Sequence, residues 1–388
     1  MFWDIVHAVD ITVWFIMALS VGYIAFFAVA SLAGSRGRKT SNGISDRKNR
    51  FLVIFPAYGE DQVIENSVRT FINQNYPDEL YTVTVVSDHM KPSTNHSLAQ
   101  LNINLLQPTF DKSSKAKAMQ YAIQHNASDY DHVVILDADN IVGVDFLEKL
   151  NDVCNMGYNA IQCHRCAKNC NNNIAALDGI SEEINNSIFR KGHNNIGLSS
   201  ALIGSGMCFR YEWFEKHVQL LSTAGEDREL EKMLLAEGIY IKYVESIKVL
   251  DEKVSSEANF QKQRQRWMSA QIQSLVSLSK DLPMAILHFN INYIDKTIQQ
   301  ALVPRSMLLV GLLVFASVIT IIVPIWACKW WALFGVTVVS LLAAMPNRMR
   351  SRSIIGLIVY IPRLVWKMLS NIRHIDRKNR EFIHTTHE

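Results

Sequence analysis

Four apolar residues, Val133-Val134-Ile135-Leu136, run directly into Asp137-Ala138-Asp139. A run of this kind reads as a buried strand that ends at a pair of carboxylates. In an open α/β sheet, ligands bind outside the carboxyl ends of the strands. Carboxylate oxygens at that edge suit a hard divalent cation of the kind that carries a diphosphate. Within a strand the two side chains would share one face, whereas a turn at the strand end would aim both at one ligand. A polar strand-to-loop transition produces the same short pattern, so partners elsewhere in the chain decide its meaning.

The elements that must position these acids are legible around them. Residues 51–55 form an apolar first strand, stopped by Pro56 and followed by Tyr58-Gly59-Glu60-Asp61. Val63, Ile64, Val68, Phe71 and Ile72 then repeat at helical spacing as far as Pro77. Residues 81–86 form a second strand running into Ser87-Asp88, which puts another acid at a strand end. Lys112, Lys115 and Lys117 precede a helical pattern at 118–123, after which comes the strand at 132–136. Strand and helix alternating at this spacing predict a parallel, nucleotide-binding α/β sheet. Further on, residues 181–190 are helical and residues 203–207 form a glycine-hinged loop. Gly225-Glu226-Asp227 opens another helix, where acids are favoured by the dipole and by capping without any catalysis.

Composition frames this region with membrane segments. Residues 11–33 contain no charge and exceed the roughly 20 residues a helix needs to cross a bilayer. Their length and the lack of a preceding basic residue favour an uncleaved anchor over a signal peptide. Six Lys or Arg lie between Arg36 and Arg50 and none before Ile11, so the positive-inside rule places the N-terminus outside and the next domain in the cytoplasm. Residues 306–326 and 330–345 read as a hairpin of two further spans, its turn confined by Pro324 and Lys329. Arg348, Arg350 and Arg352 follow it. Leu287, Ile291, Ile294 and Ile298 make one apolar helix face suited to a membrane surface, and residues 353–370 read as interfacial too. The formal charge is only +3, with the basic residues gathered beside the spans, which argues against nucleic-acid binding. Cys163, His164, Cys166 and Cys170 offer four metal ligands, but the paired spacing of a zinc ribbon is missing. Reduced, packed thiols fit better in a cytoplasmic domain.

In order, the polar set is Pro56-Ala57-Tyr58-Gly59-Glu60, Asp88, Asp137-Ala138-Asp139, Gly225-Glu226-Asp227 and Gln263-x-x-Arg266-Trp267. It resembles the membrane-bound family 2 glycosyltransferases, the class of cellulose, chitin and hyaluronan synthases, over residues 50–300. The resemblance implies a GT-A fold, α/β and Rossmann-like, that binds a UDP-sugar. Tyr58, Glu60 and Asp88 would meet the uracil and ribose, with Lys115 near the nucleotide, although Lys112 and Lys117 compete for that place. Asp137 would help hold the nucleotide, and Asp139 would ligate Mg2+ or Mn2+ on the diphosphate. Asp227 matches the general base, and Gln263, Arg266 and Trp267 would close over the diphosphate and the acceptor end. The family usually has Asn at the position of Gly59 and commonly Thr at that of Gly225.

Elementary chemistry agrees with those roles. Cleaving a sugar–phosphate bond leaves charge on the diphosphate, which a cation and the Arg266 guanidinium would stabilise. One carboxylate, Asp227, suffices to take the proton of the attacking hydroxyl, and a single displacement inverts the anomeric centre. Trp267 offers an apolar face to a sugar, though a tryptophan at a helix start is also an ordinary core residue.

The expected organisation is an N-terminal anchor at 1–35, a basic linker at 36–50, a cytoplasmic GT-A domain at 51–280 and an interfacial helix at 281–303. Two spans at 304–346 and an interfacial helix with a basic cytoplasmic tail at 347–388 complete it. The expected protein is an inner-membrane hexosyltransferase that builds a β-linked poly- or oligosaccharide, with single transfer to a lipid-linked acceptor as the alternative. A homo-oligomer or export partner would complete a narrow passage. A transporter is disfavoured because no charge pair is expected within the spans, and a non-catalytic scaffold because every polar role is filled. The topology is directly testable: a cysteine introduced at position 2 should react with an impermeant maleimide in whole cells. Labelling only after lysis would reverse the orientation.

Overall fold

The computed structural model describes residues 2–34, 47–127, 129–223, 225–254 and 256–349. Most of the basic linker, Arg350, Arg352 and the interfacial helix expected at 353–370 with the tail beyond it lie outside the described residues. Helix α1 (Phe2–Leu32) precedes β1 (Phe51–Tyr58), α2 (Ile64–Phe71), β2 (Tyr81–Asp88), α3 (Pro92–Ala99), β3 (Asn104–Leu106), α4 (Lys115–Gln124) and β4 (His132–Ile135). Next come β5 (Ile141–Val142), α5 (Phe146–Asn155), β6 (Ala160–Ala167), α6 (Asn173–Asn185), a π-helical segment Asn186–Gly192 and the short α7 (His193–Asn195). After β7 (Met207–Arg210), α8 (Tyr211–Val218), α9 (Glu226–Ala236) and β8 (Ile241–Asp251), the chain is helical: α10 (Glu257–Leu287), α11 (Ile291–Ala301), α12 (Arg305–Ile322) and α13 (Pro324–Ala344).

Among the described residues the eight strands join one sheet in the order β3-β2-β1-β4-β7-β6-β8-β5. The first four are parallel, and the apolar runs of β1 and β4 are those of strands covered on both faces. Along β1 the side chains divide by the two-residue period: Phe51, Val53 and Phe55 enter one core, Leu52 and Ile54 the other. The parallel sheet expected from the sequence holds for these four and again for β6 with β8, and two strands depart from it. Strand β7 runs antiparallel to β4 and β6, and β5 antiparallel to β8. The reversal is made at Gly204 and Gly206, whose φ angles of 73° and 63° suit glycine.

Among the described residues three helices, α1, α12 and α13, are long and apolar enough to cross a membrane. The first is longer than its charge-free stretch and includes Asp10, which is buried and paired with Lys329 of α13 while Trp330 Nε1 donates to it at 2.8 Å. The expectation of spans without a charge pair is therefore corrected. Lys329 lies within α13 because Pro324 is favoured at a first helical position, and the turn shrinks to Val323. The apolar face expected across residues 287–298 is split as well. Leu287 ends α10, Phe289 adopts a left-handed φ of 52°, and Asn290 Oδ1 accepts the Tyr293 N–H (3.1 Å) to start α11. Leu287 and Phe289 are 70% and 82% exposed at that turn.

Helix α1 is joined tightly to the sheet domain. Asn195 Nδ2 donates to the carbonyls of Ala30 (3.0 Å), Ser31 (3.4 Å) and Ala33 (2.8 Å) at the carboxyl end of α1, where carbonyls run short of intrahelical donors. The His193 ring stacks on Phe27 at 3.7 Å. A Cβ at Gly192 would stand 2.5 Å from the Phe27 carbonyl oxygen, so only glycine permits this approach, whereas nothing lies within 4 Å of a Cβ at Gly335 in α13. Gly192→Ala should lower the thermal midpoint of the detergent-solubilised protein by the equivalent of about 1–3 kcal/mol of overpacking, and Gly335→Ala should leave it unchanged. Equal midpoints would contradict the close contact.

Candidate functional site

The carboxyl ends of β1, β2 and β4 open onto a cavity of about 640 Å3. At its outer end Tyr58 is in register with Asp88, and its ring lies 5.1 Å from that of His89. Gly59 turns the chain with φ 63° and donates its N–H to the Asp88 carbonyl (3.0 Å). Left-handed backbone is tolerated by Gly and Asn, so the departure at this position keeps the conformation. Asp88 is 3% exposed and holds His89 Nδ1 at 2.6 Å. Glu60 begins α2's entry turn by accepting the N–H groups of Val63 and Ile64 at 3.2 Å, and it also lines the cavity.

Beyond β4 a turn removes Asp137 and Asp139 from strand alternation. Asn140 N donates to the Asp137 carbonyl (3.0 Å), and Asn140 Oδ1 accepts the Asp137 N–H (2.9 Å). One oxygen from each of Asp137, Asp139 and Asp251 then lies within 4.8 Å of the others. Asp251 is absent from the residues picked out by sequence, although Val249-Leu250-Asp251 at the end of β8 repeats the apolar-run-to-acid signal. The alternating exposure along β8 obscured it. Asp139 Oδ2 accepts the Glu252 N–H at 2.7 Å. Burial, with Asp251 and Asp137 beside it, pushes the Asp139 carboxyl up to about 8. Burial would raise Asp251 also, but Arg165 and Lys253 hold it below the ordinary range. Three crowded carboxylates with hard oxygen donors fit Mg2+ or Mn2+.

Lys115, at the first turn of α4, reaches into the same place. Its Nζ meets Asp137, donates to the Gly204 carbonyl (2.8 Å) and lies 3.6 Å from Glu226. Burial opposes its charge, yet Asp137 and Glu226 raise its pKa. Of its two rivals, Lys112 is exposed, and Lys117 turns its Nζ to the Lys112 carbonyl. Asp227 Oδ1 accepts the Arg228 N–H at 2.8 Å, a first-turn contact, while the capping of the preceding loop falls to Glu229, which accepts from Ser222 N at 2.9 Å. A Cβ at Gly204 would stand 3.8 Å from both Asp227 Oδ2 and Lys115 Nζ, so these two groups flank one loop. Glu226 is buried, and burial together with Asp227 and Asp137 lifts it to about 7 against the pull of Lys115. It was read only as a dipole-favoured acid.

Helix α10 brings Gln263, Arg266 and Trp267 to the cavity on one face, as positions three and four apart must lie. Arg264, passed over in the sequence, stacks at 4.6 Å over the Trp267 ring and at 4.8 Å over Phe260, and donates to Asp178 Oδ1 (2.6 Å). One face of Trp267 is thus covered by a guanidinium. The cysteines lie elsewhere, with Cys163 and Cys166 buried and Cys170 exposed, all as free thiols.

A mixed sheet whose parallel half ends at such acids has the GT-A glycosyltransferase architecture. Residues 49–270 match the family described as Glycosyltransferase like family 2, and the chain belongs to that family. It is similar in fold to the mannosyltransferase PcManGT from Pyrobaculum calidifontis, solved in complex with GDP-Man and Mn2+. That match has 16% identity over 85% of this chain and 97% of that one, with a TM-score of 0.50. TarS of S. aureus matches at 14% identity over 84% of this chain and 54% of its own, with a TM-score of 0.45. Comparison with curated proteins returned no match. If the three acids form one cation site, Asp139→Ala and Asp251→Asn should each weaken Mn2+ binding by about tenfold or more, as measured by electron paramagnetic resonance. Wild-type affinity in either variant would remove that acid from the site.

Proposed function

We propose that this chain is an inverting, metal-dependent hexosyltransferase that moves a sugar from a UDP-sugar to a growing β-linked poly- or oligosaccharide, in the manner of the cellulose, chitin and hyaluronan synthases. One observation carries the reading: the cavity that begins at Tyr58 and Asp88 passes the acid cluster and Arg266 and continues to Leu309 and Leu341 of the candidate spans. Donor chemistry and a membrane-side acceptor would share one space.

In this reading Tyr58, Glu60 and Asp88 hold the nucleoside, Lys115 and Asp137 steady the nucleotide, and Gln263 and Arg266 close over the diphosphate. A cation bound by Asp139 with Asp137 and Asp251 would neutralise charge on the leaving diphosphate. The acceptor hydroxyl oxygen attacks the anomeric carbon and gives its proton to the Asp227 carboxylate. The bond from that carbon to the diphosphate oxygen breaks, and UDP leaves with the electron pair. An α-linked donor therefore yields a β-linkage. Arg264 covers one face of Trp267, and the opposite face is the one an acceptor ring would stack on. A second reading, single transfer to a lipid-linked acceptor, is favoured by the aliphatic walls at Ile24, Leu309 and Leu341. The domain would face the cytoplasm from the inner membrane, with the N-terminus outside. A second protomer or an export partner would complete a passage for the product.

Asp227→Asn keeps the shape of the site but cannot accept a proton. It should lose roughly 10² to 10⁴-fold in turnover while still binding UDP. The assay is UDP release in detergent from a panel of UDP-hexoses and UDP-N-acetylhexosamines with Mg2+ and with Mn2+, using GDP-mannose for comparison and sizing the products. Parental turnover by the Asn variant would reduce Asp227 to a first-turn acid, and no turnover of any nucleotide sugar would favour a scaffold.

A further inference from the structure

Past the acid cluster, the cavity meets α6 at Asp178 and Ser181, three positions apart, and Glu182, four positions from Asp178, lies buried beside them on the same helix face. Each receives a guanidinium. Arg264 donates to Asp178 Oδ1 at 2.6 Å, Arg305 Nη2 to the carbonyl and hydroxyl of Ser181 at 3.2 and 3.3 Å, and Arg190 Nη1 to Glu182 Oε1 at 3.4 Å. Glu182 is also shared by Arg165 (3.0 Å) and Lys253 (3.7 Å), and even with Asp251, to which both of those also pair, the cations outnumber the acids here. Among the described residues Arg305 has no carboxylate partner. Arg190 is only 3% exposed, and the Nε groups of both Arg190 and Arg264 are buried donors without an acceptor. Buried donors in that state are costly unless a ligand or water accepts from them. Arg305 also opens α12, whose first amides add positive potential. Beyond Arg305 the wall turns aliphatic, with Ile24 of α1, Ile184 of α6, Leu309 of α12 and Leu341 of α13.

An anion site bordered by aliphatic walls from three candidate spans fits an amphiphile with a negatively charged head. We propose that this mouth binds the phosphate or diphosphate of a lipid-linked saccharide acceptor. The phosphate lies among Arg305, Arg264 and Arg190, the lipid along Ile24, Leu309 and Leu341, and the saccharide hydroxyl toward Asp227. The assignment rests on the glycosyl-transfer reading and narrows its acceptor. A bare glycan would use hydroxyl-bonding and aromatic surfaces and would leave Arg305 without an anion.

The test uses the full chain in nanodiscs of zwitterionic phosphatidylcholine, with farnesyl phosphate as probe and farnesol and inorganic phosphate as comparison arms, followed by tryptophan fluorescence. Farnesyl phosphate should bind about tenfold or more tightly than either comparison ligand. This contrast within the parent protein does not depend on any variant folding. Arg305→Gln should abolish the preference for phosphate over alcohol, and Arg305→Lys should keep part of it, since a point charge replaces the fork. UDP with Mn2+ should bind parent and variants alike. Farnesyl phosphate binding no tighter than farnesol, or a preference that survives Arg305→Gln in protein that still binds UDP, would overturn the assignment. Inorganic phosphate binding as tightly as farnesyl phosphate would overturn the lipid source. Farnesyl phosphate bound with the expected preference by a parent protein that fails to bind UDP would uphold the lipid-phosphate site while sinking the glycosyl-transfer reading.

Discussion

The constraint on which the centre of this molecule depends is the mutual repulsion of Asp137, Asp139 and Asp251. Three carboxylates this close, two of them buried, cannot all remain charged without compensation. The fold answers with fixed cations on three sides: Lys115 from α4 on Asp137, and Arg165 from β6 with Lys253 after β8 on Asp251. Asp139 receives the Glu252 N–H and the Asn140 amide, and burial beside the other two acids raises its carboxyl. The acid with the least compensation is thus the one whose environment most favours an added cation.

The same cations tie the centre to the rest of the protein. Arg165 and Lys253 also reach Glu182 on α6, and Glu182 meets Arg190 in the π-helical segment. That segment continues to Gly192 and Asn195, where α1 is docked. On the other side, Lys296 of α11 forms a buried pair with Glu231 of α9 at 2.6 Å, and Arg228 holds Gln300 at 2.6 Å. Ion pairs buried to this degree contribute more to a unique geometry than to net stability, because desolvation offsets much of their attraction. Acid cluster, sheet and apolar helices are therefore parts of one connected polar framework.

Much of this could be read from residue order, for a physical reason. Strand β4 is an apolar run into Asp137, and β2 a valine- and threonine-rich run into Asp88, so local pattern alone identifies the sheet edge. The charge-free stretch after Ile11 likewise shows its nature without tertiary information. Asp251, Arg264 and Glu226 were missed because their significance comes from long-range partners: Asp251 from strands distant in sequence, Arg264 from Trp267 and α6, Glu226 from Lys115. The reversed direction of β7 was hidden because period-two patterning is the same for either strand polarity. Lys329 was read as a turn residue because its partner, Asp10, is 319 positions away.

The contact at Gly192 bears on how the domain sits relative to a bilayer. A helix joined to its domain by a flexible tether can tilt alone, but α1 is gripped at Phe27 by stacking and backbone contact, and at its carboxyl end by three hydrogen bonds from Asn195. Spanning helices adjust to membrane thickness chiefly by tilting. With α1 as a rigid lever, each degree of that adjustment would be passed to the sheet domain, so the height and attitude of the cavity mouth would follow the thickness of any bilayer that α1 spans.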